Sequence, residues 1–343
     1  MTRLFSFGFE NDDELLAFTQ DVPIATLIAE QSFARTGTKS LEMRGASPNN
    51  YAISLAWNHE PTEIFLGSAI RTNTVPIDNW IMITFGVGLE GTPFSSVATL
   101  RWRTNNILQI YRGGTLLASS ASEVFNPLNA FVHLQVWFKP LNTGGRFVVK
   151  VNDAIVIDFT GDTTDSQEYC DGIKFHALHN TGTTITYWDD VCINDSSGTT
   201  NNSYPGLARL QPVRVVGAGT TTQLSRGGID LGANYRQVRE SGEETFLQGS
   251  LDQLDLYTVD VPDLPAGAAI QNVITTVAGK STSGSGLVAS LVRGATTTGT
   301  GSDKTLTSVG MSIQAAWPLN PDDSAAWAEA DLANLQIGIK VRS

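Results

Sequence analysis

"GIKFHALHNTGTTITYWDDVCI", residues 172–193, is the stretch that decides the fold class. Two strand-like runs, Gly172 to Leu178 and Thr184 to Ile193, flank His179-Asn180-Thr181-Gly182, a segment with turn chemistry. The stretch predicts a hairpin centred on Thr181, in which the numbers of paired residues sum to 362. Cys170 and Cys192 satisfy that sum (170 + 192 = 362), so this register sets the two thiols opposite each other on neighbouring strands. Two readings of the pair stand, a bond where the cross-strand geometry allows it and two reduced, buried thiols. Two cysteines in 343 residues are not a disulfide framework.

Working outward, the same period-two pattern recurs. Arg3 to Glu10 alternates Leu4, Ser6 and Gly8 with Phe5, Phe7 and Phe9, as a strand with one buried face does. Further strands are predicted at Ser40–Arg44, Tyr51–Trp57, Ile64–Thr72, Trp80–Leu89, Val97–Arg103 and Ile107–Arg112. Leu116–Ala118, Phe131–Lys139, Arg146–Val151 and Ala154–Phe159 complete the set. Asn152-Asp153, Asn105-Asn106 and Gly113-Gly114 supply tight connections. Only Asp12–Phe18 looks helical. This density of strands predicts an all-β chain whose residues 1–195 form a large antiparallel sandwich.

Past Asp195 the composition changes. Ser196 to Ser203 has no apolar residue, and Gly217 to Gly249 is poor in strand patterns, so residues 196–249 read as a linker and an extended arm. Order returns with strands at Leu254–Val261, Ile270–Ala278, Gly286–Arg293, Lys304–Ala315 and Leu335–Arg342. Residues 250–343 are therefore expected to form a small antiparallel β domain, with Asp322–Leu335 as a short helix or turn that packs Trp327 and Leu332 inward.

The charges exclude several functions. Lys plus Arg is 22 against 34 Asp plus Glu, a net charge of −12, so the basic footprint of a nucleic-acid binder is missing. Divided at residue 205, the chain has 12 basic and 21 acidic residues before and 10 and 13 after, or −9 and −3. No run of eighteen apolar residues offers a membrane-spanning helix. The N-terminus lacks the apolar core and cleavage site of a signal peptide, which points to synthesis in a cytoplasm without export.

"LFSFGFE", "RTGTKSLEMRG" and the closing "GIKFHALHNTGTTITYWDDVCIND" resemble the concanavalin A-like jelly-roll group, which includes laminin-G-like modules. The resemblance covers about residues 1–195. It implies that the first strand pairs with the last, and that the aspartates of Asp189-Asp190-Val191 support a neighbouring loop. The order of a module ending "YWDDVCINDSSG", a "YPGLARLQPVRV" segment and a domain with "WPLNPDDSAAWAEADLANLQIGIKV" resembles tailed-bacteriophage structural proteins. That layout implies a virion component made in the host cytoplasm.

Enzyme chemistry finds little footing in the sequence. Retaining glycosidases of the jelly-roll group carry Glu-x-Asp-x-x-Glu on one strand, and no such run occurs. Glu60 with Glu63 and Asp189 with Asp190 have the wrong spacing for a shared face. There is no G-x-S-x-G elbow, and His133 and His176 fall inside strands as packed or surface residues. The cysteines with His176 and His179 lack a zinc spacing. Asp12-Asp13-Glu14, Asp162 to Asp165 and Asp189-Asp190 are oxygen-rich candidates for Ca²⁺, which the jelly-roll resemblance admits. None has the EF-hand spacing, and solvated loops explain them as well.

Trp57, Asn58, Trp102 and Asn105 are candidate glycan contacts, where an aromatic ring adjoins amides. Core packing is the default role of each strand-borne Trp and outweighs the glycan role. The leading expectation is a non-enzymatic virion protein without cofactor, a capsid decoration or cement protein, acting as an oligomer, taken as a trimer, among other virion proteins. A tail or fibre component that binds host-surface carbohydrate is the alternative, and a free lectin or glycoside hydrolase is the alternative of another class.

Overall fold

The computed structural model describes residues 3–343 except 11–13, 15–16, 21–26, 31–32, 46–51, 58, 77–78, 89–93, 166, 179–183, 240–244, 283–284 and 309. The chain divides into two units, the first running through Phe18–Leu210 together with the first strand, the second through Gln211–Ser343. The predicted helix at Asp12–Phe18 lies largely outside the described residues.

Unit 1 is all-β. In chain order its strands are β1 (Arg3–Phe7), β2 (Thr19–Gln20), β3 (Leu27–Glu30), β4 (Ser40–Gly45), β5 (Ala52–Ala56), β6 (Ile64–Thr72), β7 (Trp80–Val87) and β8 (Ser95–Arg103). They continue with β9 (Ile107–Arg112), β10 (Thr115–Ser119), β11 (Val132–Lys139), β12 (Gly145–Val151), β13 (Ala154–Gly161), β14 (Gly172–His176) and β15 (Thr184–Asp195). Two antiparallel sheets result. One has the order β13-β12-β11-β6-β15-β4-β3, with β1 also on β15, and the other β10-β9-β8-β7-β14-β5-β2. This is a jelly-roll sandwich, and the first strand does pair with the last, Phe5 opposite Ile193 and Phe7 opposite Val191.

Aromatic contacts show where the apolar faces meet. Phe85 on β7 lies 4.9 Å from Phe138 on β11 and 5.6 Å from Phe147 on β12, centroid to centroid. Phe175 on β14 meets Trp188 on β15 edge-on at 5.0 Å. These contacts join the two sheets, and all five rings are essentially unexposed. Burying each such ring is worth about 1.5–3 kcal/mol in transfer terms, so the interior is the main source of stability.

The hairpin expected at residues 172–193 does not form. β14 pairs with β5 and β7, whereas β15 pairs with β4, β6 and β1, so consecutive strands belong to opposite sheets. Both runs carry an apolar face, and a sandwich buries both by placing them across the core from each other. The turn residues His179 to Gly182 lie outside the described residues. Cys170 precedes β14 and Cys192 lies in β15, both free and buried, so they are not a cross-strand pair.

Residues 203–210, expected within a linker, pack on unit 1. Asn194 Nδ2 donates to the Ser203 carbonyl at 2.7 Å, and the Gly206 amide donates to Gln135 Oε1 at 3.0 Å. The Tyr204 ring meets Phe65 edge-on at 5.5 Å, with Lys150 Nζ 4.0 Å from its centroid. Gly67 beneath makes room for Pro205, whose ring atoms would lie 3.2 Å from a Cβ placed there.

Unit 2 contains β16 (Val215–Thr222), β17 (Ser225–Gly228), α1 (Asn234–Arg239), β18 (Thr245–Gln248), β19 (Leu254–Val259) and β20 (Val273–Gly279). Then come β21 (Ser285–Arg293), β22 (Thr298–Thr300), β23 (Lys304–Thr307), β24 (Met311–Trp317) and β25 (Gln336–Val341). The sheet β16-β19-β25-β21-β22 is joined by β23, and β17–β18 and β20–β24 form two ribbons. The extended arm expected around residues 217–249 is therefore replaced by folded structure. Its organiser is Asp255, a fully buried carboxylate that accepts from the Leu224 amide at 2.8 Å, Asn234 Nδ2 at 2.6 Å and the Tyr257 hydroxyl at 2.9 Å. Gly- and Thr-rich sequence hides that pattern because the donors are mainly backbone and amide groups. Trp327 and Leu332 do pack inward, in a cluster with Val292 and Leu335.

Candidate functional site

The seven-stranded sheet of unit 1 has two unlike faces. Ile83, Phe85, Leu100, Ile110, Ile173 and Phe175 point into the core, each at most 1% exposed. The alternate residues point to the other side. Strand register lines up Ser54, Lys174, Thr84, Thr99 and Tyr111 in one row across β5, β14, β7, β8 and β9. Arg101, Gln109 and Ser119 form a second row across β8, β9 and β10. Ser54, Thr84, Thr99 and Gln109 are buried, while Lys174, His176, Arg101 and Tyr111 are half-buried, so the small side chains are recessed between the large ones.

Hydrogen bonds fix these groups. The Tyr111 hydroxyl donates to Gln109 Oε1 at 2.9 Å, and Gln109 Nε2 donates to Ser119 Oγ at 2.8 Å. Arg101 Nε donates to Thr99 Oγ1 at 3.1 Å, and its guanidinium carbon sits 4.0 Å from the Tyr111 ring centroid. His176 Nε2 and Thr84 Oγ1 are 2.9 Å apart. Lys174 Nζ is 4.5 Å from the Phe94 ring centroid. Burial, only partly opposed by Tyr111, lowers the pKa of Arg101. The face thus offers donors and acceptors held in place, with an aromatic ring under a cation.

Its charge departs from that of the chain. The seven strands carry Arg101, Arg103, Arg112 and Lys174 and not one Asp or Glu, within a protein of net charge −12. Arg112 is neutralised by Asp162 and Asp165 beyond the strands. The other sheet mixes signs, with Asp189, Asp190 and Asp195 on β15 alone.

Most residues singled out from the sequence sit elsewhere. Trp102 is fully buried, edge-on to Phe125 at 5.4 Å and to Trp80 at 6.0 Å. Trp57 is 5% exposed and packs against Phe5. Neither ring has a face open to a sugar, which corrects their assignment as glycan contacts: a strand-borne indole here fills the core. Asn58 lies outside the described residues. Asn105 is exposed, with φ +60°, and its carbonyl accepts from the Glu123 amide at 2.9 Å in a turn. The structure does not bring Trp57, Trp102 and Asn105 together on the polar face.

At Asp189-Asp190 the carboxylate oxygens are taken up by protein donors. Asp189 Oδ2 accepts from the amides of Arg35 at 2.7 Å and Thr36 at 3.2 Å. Asp190, at φ +50° in a bulge of β15, accepts from Arg35 Nη1 at 2.6 Å, Thr36 Oγ1 at 3.0 Å and the Leu210 amide at 2.7 Å. Burial first, and then the neighbouring Asp190, pushes the pKa of Asp189 up, against the pull of its amide donors. These aspartates tie down a loop, as the resemblance implies. Asp12 and Asp13 lie outside the described residues, among which no cluster of three or more His, Cys, Asp or Glu stands ready for a metal. Burial raises Cys170 to about 12 and also raises Cys192, which leaves both as packed thiols.

The polar face is not visible in the sequence because its residues come singly, from "TLRWR", "ILQIYR" and "GIKFH", and look like the solvent side of ordinary strands. The available signal was the complete lack of acidic residues from those strands, which becomes visible once they are known to share a sheet.

No family model matches the chain, and no curated protein matches it. Solved structures do match, over little more than half of it. A cellulose-induced protein, Cip1, aligns with TM-score 0.44 and 14% identity, covering 56% of this chain and 97% of that one. An endo-β-1,4-glucuronan lyase from the fungus Trichoderma reesei aligns with TM-score 0.38 and 16% identity, covering 56% and 90%. A Bacillus subtilis protein of unknown function with a galectin-like fold aligns with TM-score 0.39 and 11% identity, covering 57% and 98%.

Proposed function

We propose that the chain is a non-catalytic carbohydrate-binding protein whose binding surface is the polar face of the seven-stranded sheet in unit 1. The observation that carries this reading is the row Ser54–Lys174–Thr84–Thr99–Tyr111 across five neighbouring strands, with the Arg101–Tyr111–Gln109–Ser119 contacts beside it. A sugar presents a ring of hydroxyls and a less polar face. It is matched by fixed donors and acceptors next to an aromatic side chain, held on a rigid scaffold. Strands supply that rigidity better than loops do. The strands of this face offer no pair of carboxylates for acid–base hydrolysis of a glycosidic bond, which supports binding over hydrolysis.

A virion role, expected from the sequence resemblance, gains no support from the matched structures, and attachment to host-surface carbohydrate is the part of that expectation compatible with this site. The test is a glycan array probed with the full chain, followed by calorimetry on the hits with wild type, Tyr111→Ala and Gln109→Ala. Binding that falls about tenfold or more in both variants, with the glycan recovered intact, supports the reading. An array without hits overturns it, and degradation of the glycan overturns its non-catalytic part.

A further inference from the structure

A half-buried cation needs compensation, and several arginines of this protein find it in carboxylates. Arg35 pairs with Asp190 at 2.6 Å, Arg146 with Asp158 at 2.6 Å, Arg226 with Asp230 at 2.6 Å and Arg342 with Asp303 at 3.0 Å. Arg101 differs. Among the described residues it has no carboxylate partner, only Thr99 Oγ1 through Nε and the Tyr111 ring beneath it. Its cross-strand neighbours are Ile81 and Gln109, neither of them charged. Partial burial weakens its hydration, as its lowered pKa reflects. A half-buried guanidinium fixed at Nε and held 4.0 Å over a ring turns its remaining N–H groups into a preset fork.

We infer that the ligand of this face is an acidic glycan, whose sugar carboxylate, as in a uronic or sialic acid, pairs with Arg101. The inference rests on the carbohydrate-binding reading above and narrows it to one chemical class. Lys174 lies on the same face two strands away, about 10 Å across the sheet, at a place for a second anionic group of an oligosaccharide. The absence of Asp and Glu from all seven strands is what such a ligand requires, since a like charge on the face would oppose it.

The experiment titrates the full chain by calorimetry with an oligogalacturonate, a sialylated oligosaccharide, their carboxyl-reduced counterparts and a neutral glucan oligomer. At least one acidic glycan is expected to bind, with its carboxyl-reduced form weaker by about ten- to a hundredfold, the range for a hydrogen-bonded charged contact. Arg101→Gln should remove that difference while leaving the weak binding of the reduced form in place, and Arg101→Lys should restore only part of it. The retained weak binding also shows that the variant has folded. Equal affinity for acidic and reduced forms, or an Arg101→Gln variant that still discriminates, overturns the acidic-glycan inference while leaving carbohydrate binding intact. Failure of every glycan, neutral and acidic, overturns both.

Discussion

Replacing Asp190 by Asn tests whether one carboxylate ties three chain segments together. Asp190 accepts from Arg35 Nη1, Thr36 Oγ1 and the Leu210 amide, so it links β15 to the 35–36 loop and to the end of the 203–210 segment. Asn tolerates the positive φ of this bulge, so the backbone is kept and the change acts through charge and hydrogen bonding. The amide keeps one acceptor, turns a donor toward donors, and leaves the Arg35 guanidinium, whose side chain is 15% exposed, without its anion. Losing a charged hydrogen bond costs about 1.5–3 kcal/mol, and stranding a buried partner raises that to about 3–5 kcal/mol. Relief of repulsion with Asp189 offsets part of it, so the expected loss is about 3 kcal/mol. For a unit of this size, each kcal/mol moves the midpoint by about 2–4 °C, which gives a fall of about 6–12 °C. Scanning calorimetry reads this in the transition of unit 1. Limited trypsinolysis reads the local effect, because exposed Arg209 adjoins the Leu210 amide that Asp190 holds. Faster cleavage after Arg209 with a lowered midpoint is expected. A midpoint within 2 °C of wild type, or unchanged cleavage, refutes the argument.

Two further outcomes follow from the core and the outer face of the other sheet. Trp102→Ala should cost about 3–5 kcal/mol in urea denaturation, because the indole is fully buried between Trp80 and Phe125; a loss below 1 kcal/mol would return Trp102 to the surface. His133 is 3% exposed, both ring nitrogens lack partners among the described residues, and burial first, then Arg35, lowers its pKa from 6.5 to about 4. The native state therefore resists a proton that the unfolded chain accepts. Stability from this residue is complete above pH 6.5 and falls by up to about 3 kcal/mol as the pH drops toward 4. His133→Leu should gain on wild type as the pH falls from 7 to 4.5 in paired urea titrations, and a constant difference between the two proteins would contradict this.

How much of this was legible in the sequence depends on whether the deciding physics is local. Ile64–Thr72 and Ile107–Arg112 were readable to the residue, because alternation is a property of single strands. Partners are not. The runs flanking His179 to Gly182 look like a hairpin, since a short polar connection costs little loop entropy, yet each buries more apolar area facing the other across the core than it would beside it. The region around Asp255 is hidden for the opposite reason. It is held by one buried carboxylate and a set of amides, which leave no periodic trace. The candidate site shares that difficulty, because Lys174, Thr84, Thr99 and Tyr111 are spread over 91 positions of chain (84 to 174) and become neighbours only through register.

The charge of the whole protein and that of its polar face act over different distances, and this decides how an acidic ligand would meet it. The net −12 is felt by an approaching anion as repulsion, but at physiological ionic strength that field fades over about 8 Å. Arg101 works at contact, half-buried beside a ring, where screening by salt is weaker. Added salt therefore has opposing effects, easing the approach while loosening the pair, and the two partly cancel in the equilibrium constant. An affinity insensitive to salt does not argue against a charged contact here. Removal of the sugar carboxylate acts on the contact alone, which makes the comparison of acidic and carboxyl-reduced ligands the decisive one. The same separation of ranges explains how a strongly acidic chain can present a face without acids: the fold sorts the charges, keeping Asp189 and Asp190 for loop anchoring in one sheet and leaving the strands of the other with cations only.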